Sequence, residues 1–354
     1  AARQPVGQPG LVKRPEKQKK GRGRAGRGAG RGQQQVGRRA GKEVQHVQAV
    51  EQAREDGFLR HHEFAKAHRD AVMAVVMVED NIYTASRDKL LKRWKVARNP
   101  QNRFELQQDL EVSLGETCWC LLSVGEWLLC GLGDGSIRAY HKAGRDASLS
   151  GHTKRVGCLL IHQNVLLSGS MDGTVRCWQL SPETQTFACT HIISDGISGN
   201  VLCMSVLGNH LWVGGTSGVS LVDLTSLKAT CQLPPKKFVA GLLQFEGHMI
   251  VAYSDGSLCI FDAGGNQKHT QPPVAAGPVL CIAGLESGPR VLCGHAKGQV
   301  SSITLPMFNL KTYWQALERC KVQSLCCAGH DGIFVLGSEN GSIQIWQRDD
   351  SADL

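Results

Sequence analysis

Between Leu149 and Leu180 apolar and polar residues alternate with the two-residue period of a half-buried β-strand. The stretch reads LSGHTKRVGCLLIHQNVLLSGSMDGTVRCWQL. It predicts strands over Val156 to Ile161 and Val165 to Ser170, a tight Asp172-Gly173 turn, and a third strand over Thr174 to Leu180. Val175, Cys177, Leu166 and Leu180 supply the apolar face. Asp-Gly between alternating runs is a strong short-range hairpin signal.

The turn recurs. Its second residue falls at Lys89, Gly135, Gly173, Gly218, Gly256, Gly298 and Gly341, with gaps of 46, 38, 45, 38, 42 and 43 residues. Helical solenoids share a period near forty, but no comparable helical periodicity accompanies this one. A repeat of about 40–45 residues built from short strands is the signature of β-propeller blades.

Gly151-His152, Ser168-Gly169-Ser170-Met171-Asp172-Gly173 and Trp178 together resemble a repeat of the WD40 family. Gln179 replaces the Asp that often follows the Trp. The resemblance implies an all-β, seven-bladed WD40 β-propeller. It also implies a buried hydrogen-bond network in each well-formed blade, joining a His, a strand Ser or Thr, the turn Asp and the Trp. The positions that match are His68, Ser86, Asp88 and Trp94 in blade one, and His152, Ser168, Ser170, Asp172 and Trp178 in blade three. Blade seven contributes Trp346. His68 stands 21 residues before Lys89 and His152 stands 21 before Gly173, so both are assigned a structural role. His248, His295 and His330 stand eight, three and eleven residues before their turns and miss that position. Blades two, four, five and six carry Tyr140, Val222, Phe261 and Ile303 near the Trp position. The whole repeat region, Ala67 to Gln347, is similar to the plant-type zinc-finger CCCH/WD-repeat proteins. No Cys precedes Cys118, so the C-C-C-H finger of those proteins has no counterpart in this sequence.

Propellers of this kind close by pairing an N-terminal strand with the last blade, and Phe58 to Ala65 is the candidate. The organisation expected is an arm over residues 1–55, a propeller over 56–348 and a frayed acidic end over 349–354. Within the arm, Glu43 to Arg54 has Val44, Val47 and Val50 at the spacing of a short helix. Leu305 to Arg319 is expected to hold an outer strand and a longer loop.

Charge separates the arm from the rest. Residues 1–50 hold thirteen Lys/Arg and two Glu, a net of +11; the whole chain is +9, so Glu51 to Leu354 carries −2. The run KKGRGRAGRGAGRG has too little apolar surface to offset the entropy of ordering, and predicts a disordered arm. Lys19, Lys20, Arg22, Arg24, Arg27, Arg31, Arg38 and Arg39 make the arm an RNA candidate, since guanidinium groups meet phosphates and stack on bases. The alternatives are a solubilising tail or a nuclear-import patch at Lys17 to Arg24. A nuclear or cytoplasmic location follows from either use.

The fourteen Cys lie scattered from Cys118 onward, as expected of free thiols in blade interiors in a reducing compartment. Cys118/Cys120 and Cys326/Cys327 have no second pair at zinc-ligand spacing, so no metal and no cofactor are expected. No run of 18 apolar residues and no apolar leader occur, which predicts neither a membrane span nor a secretory signal. The chain starts with Ala rather than Met, which predicts a fragment of a longer protein.

No G-x-x-x-x-G-K-[ST], H-E-x-x-H or G-x-S-x-G motif is present. The reading is a non-enzymatic scaffold that binds other proteins through the narrow top of the disc, as a monomer within a larger complex. Eighteen residues before the turn position stand Ala71, Thr117, Arg155, Asn200 and Phe238; with two-residue insertions, blades six and seven give Pro278 and Lys321. Arg155, Lys154, Phe238, Lys321, Thr117 and Asn200 form the predicted interaction patch, since Arg and aromatics dominate interface energy. One alternative is a ubiquitin-ligase substrate receptor, but the W-D-x-R positions read Trp94-Lys95-Val96-Ala97 and Trp178-Gln179-Leu180-Ser181. A second alternative is an RNA-associated WD-repeat protein. A third is an enzyme using the central channel, which needs convergent polar residues there.

Overall fold

A computed structural model describes residues 57–100, 104–181, 186–234, 237–273, 276–286, 289–307, 309–328 and 332–349. The arm, its predicted helix, His330 and residues 350–354 lie outside them. The described residues form seven four-stranded antiparallel sheets. Each sheet is one blade, and each innermost strand packs against the innermost strands of its two neighbours, so the blades close a ring. The innermost strands are Val72–Val78, Cys118–Val124, Val156–His162, Val201–Leu207, Val239–Phe245, Val279–Leu285 and Val322–Ala328.

Blade seven borrows its outermost strand. Phe58–Phe64 pairs antiparallel with Ile343–Arg348, from Phe58 opposite Arg348 to Phe64 opposite Ile343. Phe58 is fully buried. Its ring stacks on Trp314 at 4.6 Å and meets Phe334 edge-on at 5.6 Å. The seam is therefore held by main-chain pairing and by an aromatic anchor in the core between blades six and seven. Asn309–Gln315 is the outermost strand of blade six.

The two-residue insertions lie in the hairpins that leave the innermost strands. Leu285 pairs with Arg290 and Ala328 with Ile333, whereas Val78 pairs with Asn81 in blade one. They lengthen the bottom of blades six and seven and leave the top unchanged.

One packing rule repeats around the ring. The third residue of an innermost strand faces a small residue on the second strand. The pairs are Ala74/Ala85, Cys120/Gly131, Cys158/Gly169, Cys203/Gly214, Gly241/Ala252, Cys281/Gly294 and Ser324/Gly337. A Cβ at Gly131 would sit 2.4 Å from Cys120 Sγ and 2.9 Å from Val156 of the next blade, so the glycine is required by space. Some of the opposing groups also bond across blades. Cys120 Sγ donates to the Val156 carbonyl at 3.6 Å, Cys281 Sγ to Val322 at 3.7 Å, and Ser324 Oγ to Val72 at 2.8 Å across the closing seam. Burial raises the Cys158 thiol well above its ordinary value and pushes those of Cys203 and Cys281 up to about 12, so these thiols stay protonated.

Candidate functional site

Among the described residues, two blades carry the full hydrogen-bond network. In blade three, His152 Nδ1–H donates to Asp172 at 2.9 Å; Ser168 Oγ–H donates to His152 Nε2 at 2.8 Å; Trp178 Nε1–H donates to Ser168 Oγ at 2.8 Å. These directions follow from leaving every member satisfied. Thr153 and Thr174 N–H also donate to Asp172. Burial would raise the Asp172 carboxyl, but donation from Thr174, Thr153 and His152 outweighs it and holds the group at about 2. Burial lowers the affinity of His152 and His68 for a proton more than the aspartates restore it, so both rings are neutral. These groups are internally satisfied and tie the blade together.

Blade one corrects one assignment. The hydroxyl between His68 and Trp94 is that of Thr84, at 2.8 Å from each ring nitrogen. Ser86 instead donates to the Asp70 carbonyl and accepts from Asp88 N–H, so it braces the turn. Ser170 does the same job in blade three through the Lys154 carbonyl, leaving Ser168 in the network. Trp346 is also reassigned: its Nε1–H donates to Gln344 Oε1 at 2.9 Å. Glu318 stands three residues before Lys321, as His68 and His152 stand three before Ala71 and Arg155, so blade seven has no His at that position to join the Trp. His295 misses the network position, yet it is fully buried. It pairs opposite Val279 as Ser86 pairs opposite Val72, and its Nδ1–H donates to the Gly277 carbonyl at 2.8 Å, taking the bracing role in blade six.

The predicted top positions form one ring. Ala71, Thr117, Arg155, Asn200, Phe238, Pro278 and Lys321 each directly precede an innermost strand. Each carbonyl accepts a backbone hydrogen bond from the turn of its own blade, from Arg87, Gly133, Met171, Thr216, Ser254, Ala296 and Glu339 respectively. Not all of these side chains are available. Lys321 is bonded to Glu339 at 2.6 Å. Thr117 and Asn200 are half-buried, Lys154 is exposed, and Phe238 is 44% exposed.

Sequence reasoning missed the ring just inside. In all seven innermost strands the register slips between the first residue and the third. The slip leaves the second residue unpaired, as a β-bulge does. Those residues are Met73, Trp119, Gly157, Leu202, Ala240, Leu280 and Gln323, and all seven line one cavity of about 440 Å3 at the channel mouth. Arg155 and Phe238 complete its wall. The signal was present, because these residues stand two places after the top positions; but strict alternation hides a bulge. The same bulge sets Cys118 and Cys120, two apart in sequence, into different cores. Cys118 packs into the core between blades one and two, and Cys120 against the core between blades two and three.

Arg155 is the one charged residue of the wall. Its guanidinium carbon lies 3.8 Å from the centre of the Trp119 ring. Its Nε is buried without a hydrogen-bond partner. Burial lowers its pKa, and Cys120 offsets part of that. Among the described residues no three His, Cys, Asp or Glu side chains gather as a metal-ligand set.

The profile of the WD domain, G-beta repeat family matches residues 145–179, a span that includes the His152–Asp172–Ser168–Trp178 network of blade three. The structure is similar to the WD40 beta propeller domain of Doa1, with a TM-score of 0.70 over 84% of this chain and 98% of that one, at 18% identity. The fold is a seven-bladed β-propeller, and it carries a WD40 repeat. Among curated relatives of this propeller, zinc finger CCCH domain-containing protein 62 of Arabidopsis thaliana is 22% identical over 79% of the chain, and protein 63 is 26% identical over 76%. The chain spans 68% and 61% of the lengths of those two relatives. Telomerase protein component 1 of Rattus norvegicus is 25% identical over 58% of the chain, which corresponds to 8% of that protein.

Proposed function

We propose that this WD40 propeller is a non-enzymatic protein-interaction scaffold that recruits its partner at the channel mouth, while the Arg-Gly arm contacts RNA. WD40 propellers in general bind other proteins. The observation that carries the reading is the cavity, lined mostly by apolar residues, to which every blade contributes one bulged residue. Its wall offers Met73, Leu202, Leu280, Trp119 and Phe238 as contact area with a single cation. It offers no set of convergent polar groups of the kind that acid–base or nucleophilic chemistry needs. The network histidines are neutral, buried and committed to structural partners, which leaves them unsuited to proton transfer.

The division of labour is tested by RNA binding of the whole chain and of a truncation starting at Glu51, across a salt series. Engagement of eight arm cations by single-stranded RNA gives a slope of log K against log salt near −6, at about 0.7 per phosphate. The whole chain should show that slope and the truncation should lose it. Equal binding by both would place RNA on the propeller and end the proposed division.

A further inference from the structure

The charge pattern of the mouth narrows the class of partner. Lys237 is bonded to Asp255 at 2.6 Å, Lys321 to Glu339 at 2.6 Å and Lys89 to Glu116 at 3.4 Å, so these top-face cations already have counter-charges. Arg155 has none. It is stacked on Trp119, its Nε is buried without a partner, and no Asp or Glu lines the cavity. A half-buried cation without a counter-charge carries a desolvation cost, and a carboxylate accepting from its guanidinium offsets part of that cost. A lysine or arginine entering the same cavity would meet a like charge with nothing to neutralise it. The rest of the wall is mostly apolar, with Gln323 and Ser254 as its neutral polar members, and about 440 Å3 is at the lower end of small-ligand sites, enough for one or two side chains.

We infer that the channel mouth captures an extended peptide segment that places an apolar side chain against Met73, Leu202 and Leu280 and an adjacent Asp or Glu side chain on Arg155. This rests on the top-face reading above and specifies its ligand. The guanidinium rests on the Trp119 ring, and the carboxylate of the bound segment accepts from its terminal nitrogens. Phe238, exposed on the rim, lies over the backbone of the bound segment.

The test is a positional-scanning library of hexapeptides, acetylated and amidated so that no terminal carboxylate competes, screened against the full chain. The expected selection is Leu, Met, Phe or Trp beside Asp or Glu. For the best sequence, replacing its acid by the matching amide should weaken binding about tenfold or more, read by fluorescence anisotropy. With Arg155→Gln the acid and amide peptides should bind alike, the apolar selection remaining. Leu280→Glu, and independently Leu202→Asp, should abolish binding while unfolding at an unchanged temperature.

Selection of neutral or basic flanks, still abolished by Leu280→Glu and Leu202→Asp, would overturn the carboxylate inference and leave the top-face reading standing. Binding indifferent to both cavity variants, or no selection at all, would overturn both. Phosphoserine in place of the acid is a separate arm. A phosphopeptide that binds while its Asp and Glu versions do not would also overturn the inference.

Discussion

The ring should be only as strong as its seam, and Phe58→Ala tests that. The residue is fully buried and stacks on Trp314 at 4.6 Å and against Phe334 at 5.6 Å. An aromatic side chain buries about 150–250 Å2, which at about 25 cal/mol per Å2 amounts to about 4–6 kcal/mol before relaxation. Measured Phe→Ala costs in cores run about 3–5 kcal/mol, so about 4 kcal/mol is expected. For a domain of this size each kcal/mol moves Tm by about 2–4 °C, giving a drop of about 8 °C or more. Glu63→Ala on the same strand is the control. It removes only an exposed ion pair with Arg60, worth at most about 1 kcal/mol. Thermal unfolding followed by circular dichroism reads both, and hydrogen exchange should show the amides of Ile343–Arg348 opening first in the Phe58 variant. If the two variants shifted Tm equally, the aromatic anchor would not be what closes the propeller.

Asp172→Ala and Trp178→Ala should each lower stability by about 2–4 kcal/mol in chemical denaturation, by orphaning His152 or opening a cavity. In blade one Thr84→Val should cost more than Ser86→Ala; the reverse order would restore Ser86 to the network. Gly131→Ala should destabilise by about 1–3 kcal/mol through its clash with Cys120, and Cys120→Ala in the same chain should recover most of the loss, because blade one packs Ala74 against Ala85. The neutral histidines set a pH dependence. Folded-state values below the ordinary 6.5 mean that the unfolded chain binds more protons under that pH, so Tm should fall as pH drops from about 6.5. The contribution of Asp172, present above 3.8, is lost only as pH falls toward 2. His152→Gln should flatten the pH 5–7 part of that curve.

Seven strand-turn-strand units were legible because their signals are local. Turn chemistry and two-residue alternation act within one hairpin, and their spacing counts the blades. The seven residues that precede the innermost strands could be counted for the same reason, since a fixed number of residues joins each to its own turn. Local pattern could not decide between Thr84 and Ser86, which are two apart on one strand. Only the depth to which His68 descends from the loop above selects the lower hydroxyl. Nor could alternation show the bulges, which break it, and so Trp119 and the mouth it lines stayed hidden.

The sequence by itself determined the repeat, the turns, the closing strand and the concentration of positive charge in the first fifty residues. Tertiary structure decided what those repeats make together. Ring closure sets the first residues of seven separate strands around one axis, presses each thiol against the glycine that leaves room for it, and sets Arg155 on Trp119 in a cavity that no described Asp or Glu lines. Those relations join residues tens to hundreds of positions apart, and no hairpin carries them until the last blade has met the first strand.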